Sequence, residues 1–174
     1  PALAHNEEWA EDFLQEMESR KIPLDFFSWH IYCTEPVHMA QKAERIKTLL
    51  NKYGYENVES ILNEWNYVKG WEEEFVYSLK AIHGIKGASF TLACMCTSQR
   101  SPIDMLMYYD ARIDTVFNGM FDFYTLRPLK GYYPFYLYSN LYELGTQAES
   151  DSDDSNVYAV CAKDGVIKAE DSVV

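Results

Sequence analysis

Residues 24–32 read LDFFSWHIY and residues 61–67 read ILNEWNY, and these two stretches decide the fold. Both are rich in aromatic and branched side chains and nearly continuous in hydrophobicity, which is typical of strands covered on both faces. Residues 103–109, IDMLMYY, predict a third buried strand of the same kind. Buried strands of this kind are typical of parallel sheets, in which the chain returns through a helix between neighbouring strands.

Helical patterns occupy the stretches between these strands. Asn6 predicts an N-cap, and apolar residues recur every fourth position after it. Gly54 and Gly145 each follow an apolar helical pattern and predict helix ends. Glycines at 84 and 87 predict a kink or interruption in the longest helical stretch. The predicted helices cover residues 7–20, 36–53, 72–100 and 133–144. The order αβαβαβα predicts an α/β fold with a parallel sheet, either doubly wound or part of a barrel.

Charge and composition exclude several classes of protein. The chain has 174 residues, of which 48% are hydrophobic, so it can build a core. Fifteen basic and 27 acidic side chains give a net charge of -12, which repels nucleic acid and anionic membrane surfaces. No apolar run approaches the roughly 20 residues that span a bilayer. Because of the negative charge and the lack of such a run, we expect neither a nucleic-acid nor a membrane partner. Residues 1–6 do not have the pattern of a signal peptide, and the compartment stays undetermined.

The cysteines and histidines do not form a recognisable metal-binding pattern. The spacing of the four cysteines matches neither paired zinc-binding motifs nor a dense disulfide framework, and we expect reduced, mostly buried thiols. The four histidines are scattered along the chain. We therefore predict no metal and no cofactor.

The C-terminal part of the chain differs in composition from the rest. Acidic and serine residues fill residues 147–156 and predict a solvated linker. Beyond it, two apolar stretches at 157–162 and 166–168 flank Lys163-Asp164-Gly165 and predict a hairpin. The predicted organisation is a β/α unit in residues 1–146, an acidic linker in 147–156, and the first strands of an accessory β-domain in 157–174.

Glu64 is the residue that points to function. It is a carboxylate at the end of an apolar strand, where desolvation is costly unless a partner or a chemical role holds it. In parallel β/α folds reactive groups gather at the carboxyl ends of strands. These ends carry an imidazole, a carboxylate, phenols and indoles, which suit the hydroxyls and the apolar face of a sugar. The candidate residues there are His30, Tyr32, Glu64, Trp65, Asn66 and Tyr109.

A second interpretation of Glu64 is purely structural. In a self-contained small α/β domain, Glu64 would pair with a buried base, and Lys69 is the nearest basic residue in the sequence. Lys69 follows the strand, however, and we expect it to lie outside the core.

These strand motifs resemble glycoside hydrolase family 39, the β-xylosidase and α-iduronidase family. Residues 23–32 and 61–66 are similar to the sixth and seventh strands of its eight-stranded barrel, and residues 108–110 to the eighth. Residues 131–145 resemble the last barrel helix, and Pro1-Ala2 the exit of the fifth strand. The resemblance implies that the chain is the C-terminal part of a (β/α)8 barrel followed by the start of a β-domain.

The same resemblance implies roles for the candidate residues. Glu64 matches the nucleophile of a retaining enzyme, Tyr32 the phenol that hydrogen-bonds it, and His30 a residue lining the same subsite. Tyr109 stands where the family usually has a tryptophan platform, which puts the substrate in doubt. Trp65 and Asn66, the two residues after Glu64, complete the substrate-binding set, with side chains that point into the packing as the alternative for both. Trp29 is expected in the core.

The implied activity is hydrolysis of an O-glycosidic bond by a retaining, exo-acting enzyme, with xylosides as first substrates. Such an enzyme needs a second carboxyl about 5–5.5 Å from the nucleophile. By the resemblance it is a glutamate after an asparagine at the end of the fourth strand, and no strand that carries this motif is predicted before residue 22, where Asn6-Glu7 begins a helix. We expect the chain alone to be inactive, and its open sheet edges to pair with another copy or with the missing part of the barrel. The alternative is a carbohydrate-binding or structural domain without activity.

Overall fold

The computed structural model describes residues 6–165 and forms a mixed α/β structure. Its elements, in chain order, are α1 (Glu7–Ser19), β1 (Phe26–Cys33), α2 (Pro36–Lys52), β2 (Glu59–Tyr67), α3 (Phe75–Ile82), α4 (Ile85–Ser98), β3 (Met105–Tyr108), α5 (Tyr132–Leu144), β4 (Gly145–Ala148) and β5 (Cys161–Asp164). The predicted alternation of helices and strands is confirmed as far as α5. The proposed fifth-strand exit at Pro1-Ala2 lies outside the described residues.

The main sheet is parallel, and its strands follow the order β1-β2-β3. Because crossover connections between parallel strands are almost always right-handed, strands added in one direction place their helices on the same face of the sheet. Aromatic contacts from α1 to β1, between Phe13 and Phe27, and from α4 to β2, between Phe90 and Trp65, lie on this helical side. An α/β fold with a parallel sheet is therefore confirmed, without the reversal of strand order that marks a doubly wound sheet.

The core lies between the sheet and the helices. Trp29 and Leu62 are fully buried, and the indole Nε1 of Trp29 donates a 3.0 Å hydrogen bond to Ser60 Oγ. The other face of the sheet is partly uncovered: Phe26, Met105 and Met107 are 53%, 45% and 44% exposed. The prediction that the third strand is buried on both faces is thus wrong, because β3 is a short edge strand with helices on one side only.

Local signals at the helix ends agree with the structure. The Asn6 side chain accepts a 2.9 Å hydrogen bond from Trp9 N and caps α1. Gly54 and Gly145 have φ angles of +77° and +81°, which glycine adopts without the steric cost that a Cβ brings. The long helical stretch is broken at Gly84, between α3 and α4.

The strands at the C-terminal end include a pairing that the sequence did not predict. Residues Gly145–Ala148 form β4 directly after α5, so the predicted linker 147–156 loses its first two residues to a strand. The antiparallel partner of β4 is β5, in which Lys163 and Asp164 lie within the strand and not in a turn. The segment 166–168 of the predicted hairpin lies outside the described residues.

Gly131 permits a close approach between α5 and the loop before it, which leads to a stability prediction. A Cβ on Gly131 would lie 2.4 Å from Gly119 O and 2.9 Å from Gly119 C, both backbone atoms. We expect Gly131→Ala to destabilise the chain by about 1–3 kcal/mol, since α5 must move to relieve the overlap. At Gly84 the nearest atoms are 3.5 Å away, and Gly84→Ala is expected to change the stability by less than about 1 kcal/mol.

Urea unfolding followed by circular dichroism measures both variants. Equal unfolding midpoints for Gly131→Ala and Gly84→Ala would contradict the packing described at α5.

Candidate active site

The carboxyl ends of β1 and β2 bring three polar side chains together. A register shift between Trp29 and His30 aligns His30 with Glu64 across the two strands. His30 and Tyr32 are two residues apart in β1 and therefore face the same side of the sheet. Tyr32 Oη donates a short hydrogen bond to Glu64 Oε1, and His30 Nδ1 lies 3.6 Å from Glu64 Oε2. The structure thus brings these three predicted site residues together.

The group is partly open to solvent. The Glu64 side chain is 28% exposed and the His30 side chain 18%. Burial raises the pKa of Tyr32 well above the usual value for a phenol, and the hydrogen bond to the Glu64 carboxylate raises it further. Tyr32 therefore keeps its proton at neutral pH and stays a hydrogen-bond donor to Glu64.

Lys69 does not pair with Glu64 as the structural interpretation supposed. Lys69 Nζ lies 2.7 Å from Glu74 Oε1, in a salt bridge at the protein surface. Glu64 instead lies between a phenol and an imidazole. A structural ion pair with Lys69 is therefore not the reason for a carboxylate at this position.

Trp65 and Asn66 are buried and contact protein groups. Trp65 is 1% exposed and packs against Phe90 and against Tyr108, with ring centroids 6.3 Å and 5.5 Å apart. Its predicted contact with substrate is corrected, because its position in the strand directs the indole into the core. Its Nε1 has no hydrogen-bond partner among the described residues.

The Asn66 amide orders the loop that follows β3. Asn66 Nδ2 donates to Tyr109 O at 2.6 Å and to Phe117 O at 3.2 Å. Asn66 is 1% exposed, so it acts as a backbone clamp and does not face a ligand, which corrects its predicted role. By holding both carbonyls, it places the loop beside the end of β2.

Tyr109 is half-buried at the end of β3. Its ring lies 5.6 Å from Phe117, and Phe117 in turn lies 5.8 Å from Tyr32. The neighbouring Asp110 is 7% exposed and accepts hydrogen bonds from Arg112 and Thr115, which hold the loop together. Tyr109 is thus connected to the Glu64 group through an aromatic ring that the sequence did not single out.

Two further aromatic residues next to this group were missed in the sequence. Trp71 packs edge-on against Tyr32, with ring centroids 4.9 Å apart, and Phe117 contacts both rings. Trp71 follows β2 closely, and a large aromatic residue just after the strand that carries Glu64 could have been noticed. Phe117 has no such local signal, because the fold of its loop decides where it lies.

Several clefts in the described part of the chain lie away from Glu64. Five clefts among residues 6–165 are not lined by Glu64. One of them, about 600 Å³, lies between α5 and the β4-β5 pair, and another of about 320 Å³ reaches Tyr32 from the side of α2.

The described residues lack the features of two other classes of site. Between residues 6 and 165, histidine, cysteine and acidic side chains do not gather in a group that could hold a metal ion. The helices in the same range lack the combination of length and apolar character that crossing a bilayer requires.

Comparisons with known proteins show a likeness to solved structures. Neither protein-family models nor curated proteins match the chain. Among solved structures, it is similar to a glucosidase from Croceicoccus marinus, with a TM-score of 0.51 and 23% identity. The alignment covers 68% of this chain and 25% of the glucosidase, so the similar region is about a quarter of that protein. At this identity the likeness shows a shared fold alone, and the described α/β unit resembles part of the fold of that glucosidase.

Proposed function

We propose that this chain is part of a retaining glycoside hydrolase and that Glu64 is its nucleophile. The observation that supports this most directly is the geometry of one carboxylate. Glu64 Oε1 accepts a hydrogen bond from Tyr32, while the carboxylate remains partly exposed next to His30 at the carboxyl end of a parallel sheet. Reactive groups of β/α folds lie at this end of the sheet.

In the proposed reaction, a Glu64 oxygen attacks the anomeric carbon of the substrate. The bond to the leaving-group oxygen breaks as the bond to Glu64 forms, and water later hydrolyses the glycosyl ester. The phenol of Tyr32 favours the ionised carboxylate and limits its rotation, which keeps the attacking oxygen in position. His30 is close enough to Glu64 Oε2 to contact a hydroxyl of the same sugar.

The proposal includes a second carboxyl that protonates the leaving group. By resemblance to glycoside hydrolase family 39, it belongs to another strand of a (β/α)8 barrel, of which β1, β2 and β3 are the sixth to eighth strands. The uncovered sheet face, with half-exposed Phe26, Met105 and Met107, supports this assignment. Further strands of a barrel would cover that face and supply walls around Glu64.

The proposed substrate is a β-linked sugar at the end of a chain, and xylosides are the first candidates. The family resemblance favours xylosides, and the structural neighbour is named a glucosidase, so aryl xylosides and aryl glucosides are both tested. A protein that binds carbohydrate without cleaving it is the second candidate, because residues 6–165 leave the Glu64 group open on one side.

Covalent labelling tests the nucleophile directly. A 2,4-dinitrophenyl 2-deoxy-2-fluoro-β-xyloside has a leaving group that departs without protonation, so labelling does not need the second carboxyl. We expect one fluoroxylosyl group on Glu64, located by mass spectrometry of peptides. Tyr32→Phe should slow labelling roughly 10 to 100-fold, because a hydrogen bond to a charged group is lost.

Glu59→Gln is the matched control, since Glu59 is an exposed carboxylate at the other end of β2. The experiment is run on the 174-residue chain and on the reading frame extended upstream of Pro1. Ordinary alkyl xylosides should be turned over by the extended protein only, since they need the second carboxyl. A label on another residue, or none on either protein, would contradict the proposed nucleophile and leave carbohydrate binding as the better candidate.

A further inference from the structure

We propose that Trp71 is the platform of a second sugar-binding position beside Glu64, one that stacks on the leaving-group sugar of the substrate. This inference rests on the proposed function, because it takes the carboxylate of Glu64 as the point of cleavage. Trp71 lies in the loop after β2 and is 51% exposed. Its ring packs edge-on against Tyr32, at a centroid distance of 4.9 Å and an interplanar angle of 78°.

Aromatic neighbours hold the indole of Trp71 in place. Phe75 stacks on it, with centroids 5.9 Å apart and planes 23° from parallel, and Phe117 lies 6.3 Å away. Phe75 stacks on one face of the indole, and half of the Trp71 side chain nevertheless stays exposed. A large apolar ring that is fixed and open in this way can stack on a ligand with little loss of conformational entropy.

The other tryptophans show that exposure alone does not indicate a sugar-binding platform. Trp29 and Trp65 are buried in the core. Trp9 is 43% exposed and stacks on Phe13 at 5.4 Å, but it lies on α1. Trp71 differs from Trp9 in one respect that concerns function, since it contacts the tyrosine that donates to Glu64.

The position of Trp71 determines which sugar unit of the substrate it contacts. Trp71 contacts the ring of Tyr32, and the hydroxyl of that ring donates to Glu64. In the proposed arrangement, a sugar bonded to Glu64 at C1 therefore lies next to Tyr32 and not on the indole. A pyranose on Trp71 is therefore the neighbouring unit. In an exo-acting enzyme only the leaving-group side of the cleaved bond has a neighbouring unit. The apolar C–H face of a β-linked pyranose is the chemistry that an indole face binds.

Binding measurements in a Glu64→Gln background test this assignment without turnover. The probes are xylobiose and cellobiose, with xylose and glucose as monosaccharide references, titrated by calorimetry or NMR into the 174-residue chain. We expect Trp71→Ala to weaken disaccharide binding about tenfold and to leave monosaccharide binding within about twofold. Trp71→Tyr, which keeps an aromatic face and the packing on Phe75, should recover most of the affinity. Trp9→Ala is the matched control and should bind as the parent does.

The outcomes separate this inference from the proposed function. Disaccharide binding that Trp71→Ala leaves unchanged overturns the platform, even if Glu64 is labelled by the fluorosugar. Binding that depends on Trp71 in a protein whose Glu64 cannot be labelled supports the platform and overturns the nucleophile. If neither disaccharide binds to the folded chain, the platform is overturned as well.

Discussion

Glu64→Gln is expected to lower the rate of glycosyl transfer by roughly 10⁴-fold or more, the scale of loss when a covalent nucleophile is removed. The amide is nearly the same size as the carboxylate, and its oxygen can still accept the hydrogen bond from Tyr32. The fold and the position of the side chain should therefore persist. What is lost is the negative charge, and with it the nucleophilicity of the oxygen that attacks the anomeric carbon. The rate is measured as dinitrophenolate release from the aryl xyloside by the extended protein.

Chemical rescue distinguishes a nucleophile from a residue that only positions the substrate. Glu64→Ala opens space for azide, and the product should be a glycosyl azide of inverted anomeric configuration, which NMR identifies. Glu59→Gln should retain the parental rate, because Glu59 lies at the far end of β2. A Glu64→Gln variant with more than about a tenth of the parental rate would exclude a covalent role for Glu64.

The largest expected effect on stability comes from Trp29→Ala. Trp29 is fully buried, and removing so large a side chain leaves a cavity that costs about 3–5 kcal/mol. The substitution also deprives the buried Ser60 hydroxyl of its 3.0 Å donor. Against a total stability of about 5–15 kcal/mol for an ordinary domain, this loss is a large fraction of the free energy of unfolding and should lower the unfolding midpoint strongly.

Urea unfolding followed by tryptophan fluorescence and circular dichroism measures this effect. Trp9→Ala is the matched comparison, since Trp9 is 43% exposed, and it should cost less than about 1 kcal/mol. Similar unfolding midpoints for the two variants would show that the sheet and the helices do not pack around Trp29 as described.

Some residues of the candidate site could be predicted from the sequence, and others could not. Glu64, Tyr32 and His30 could be identified because they lie at the ends of two clearly marked strands, and their separation follows from strand pairing. Trp65 could not be assigned in the same way. An indole directly after a reactive carboxylate resembles a sugar platform in the sequence, yet the register shift near Leu62 and Trp65 leaves it buried against Phe90.

The C-terminal strands illustrate a different limit. Lys163-Asp164-Gly165 is a local turn signal, and it predicts pairing only with the residues that follow it. The pairing that the structure shows is between β5 and β4, which lies in Gly145–Ala148 directly after α5. This pairing joins segments that are distant along the chain, so no local signal in the sequence specifies it.

The sequence by itself determined the α/β order, the parallel strands β1 and β2, the helix ends at Asn6, Gly54 and Gly145, and the candidate carboxylate Glu64. These features depend on hydrophobic periodicity, side-chain capping and the freedom of glycine, which act over a few residues. Only the tertiary structure decided that β3 is an edge, that Asn66 holds the loop after β3, and that Trp71 and Phe117 meet Tyr32. These contacts join residues far apart in the chain, and their energies depend on how whole elements pack.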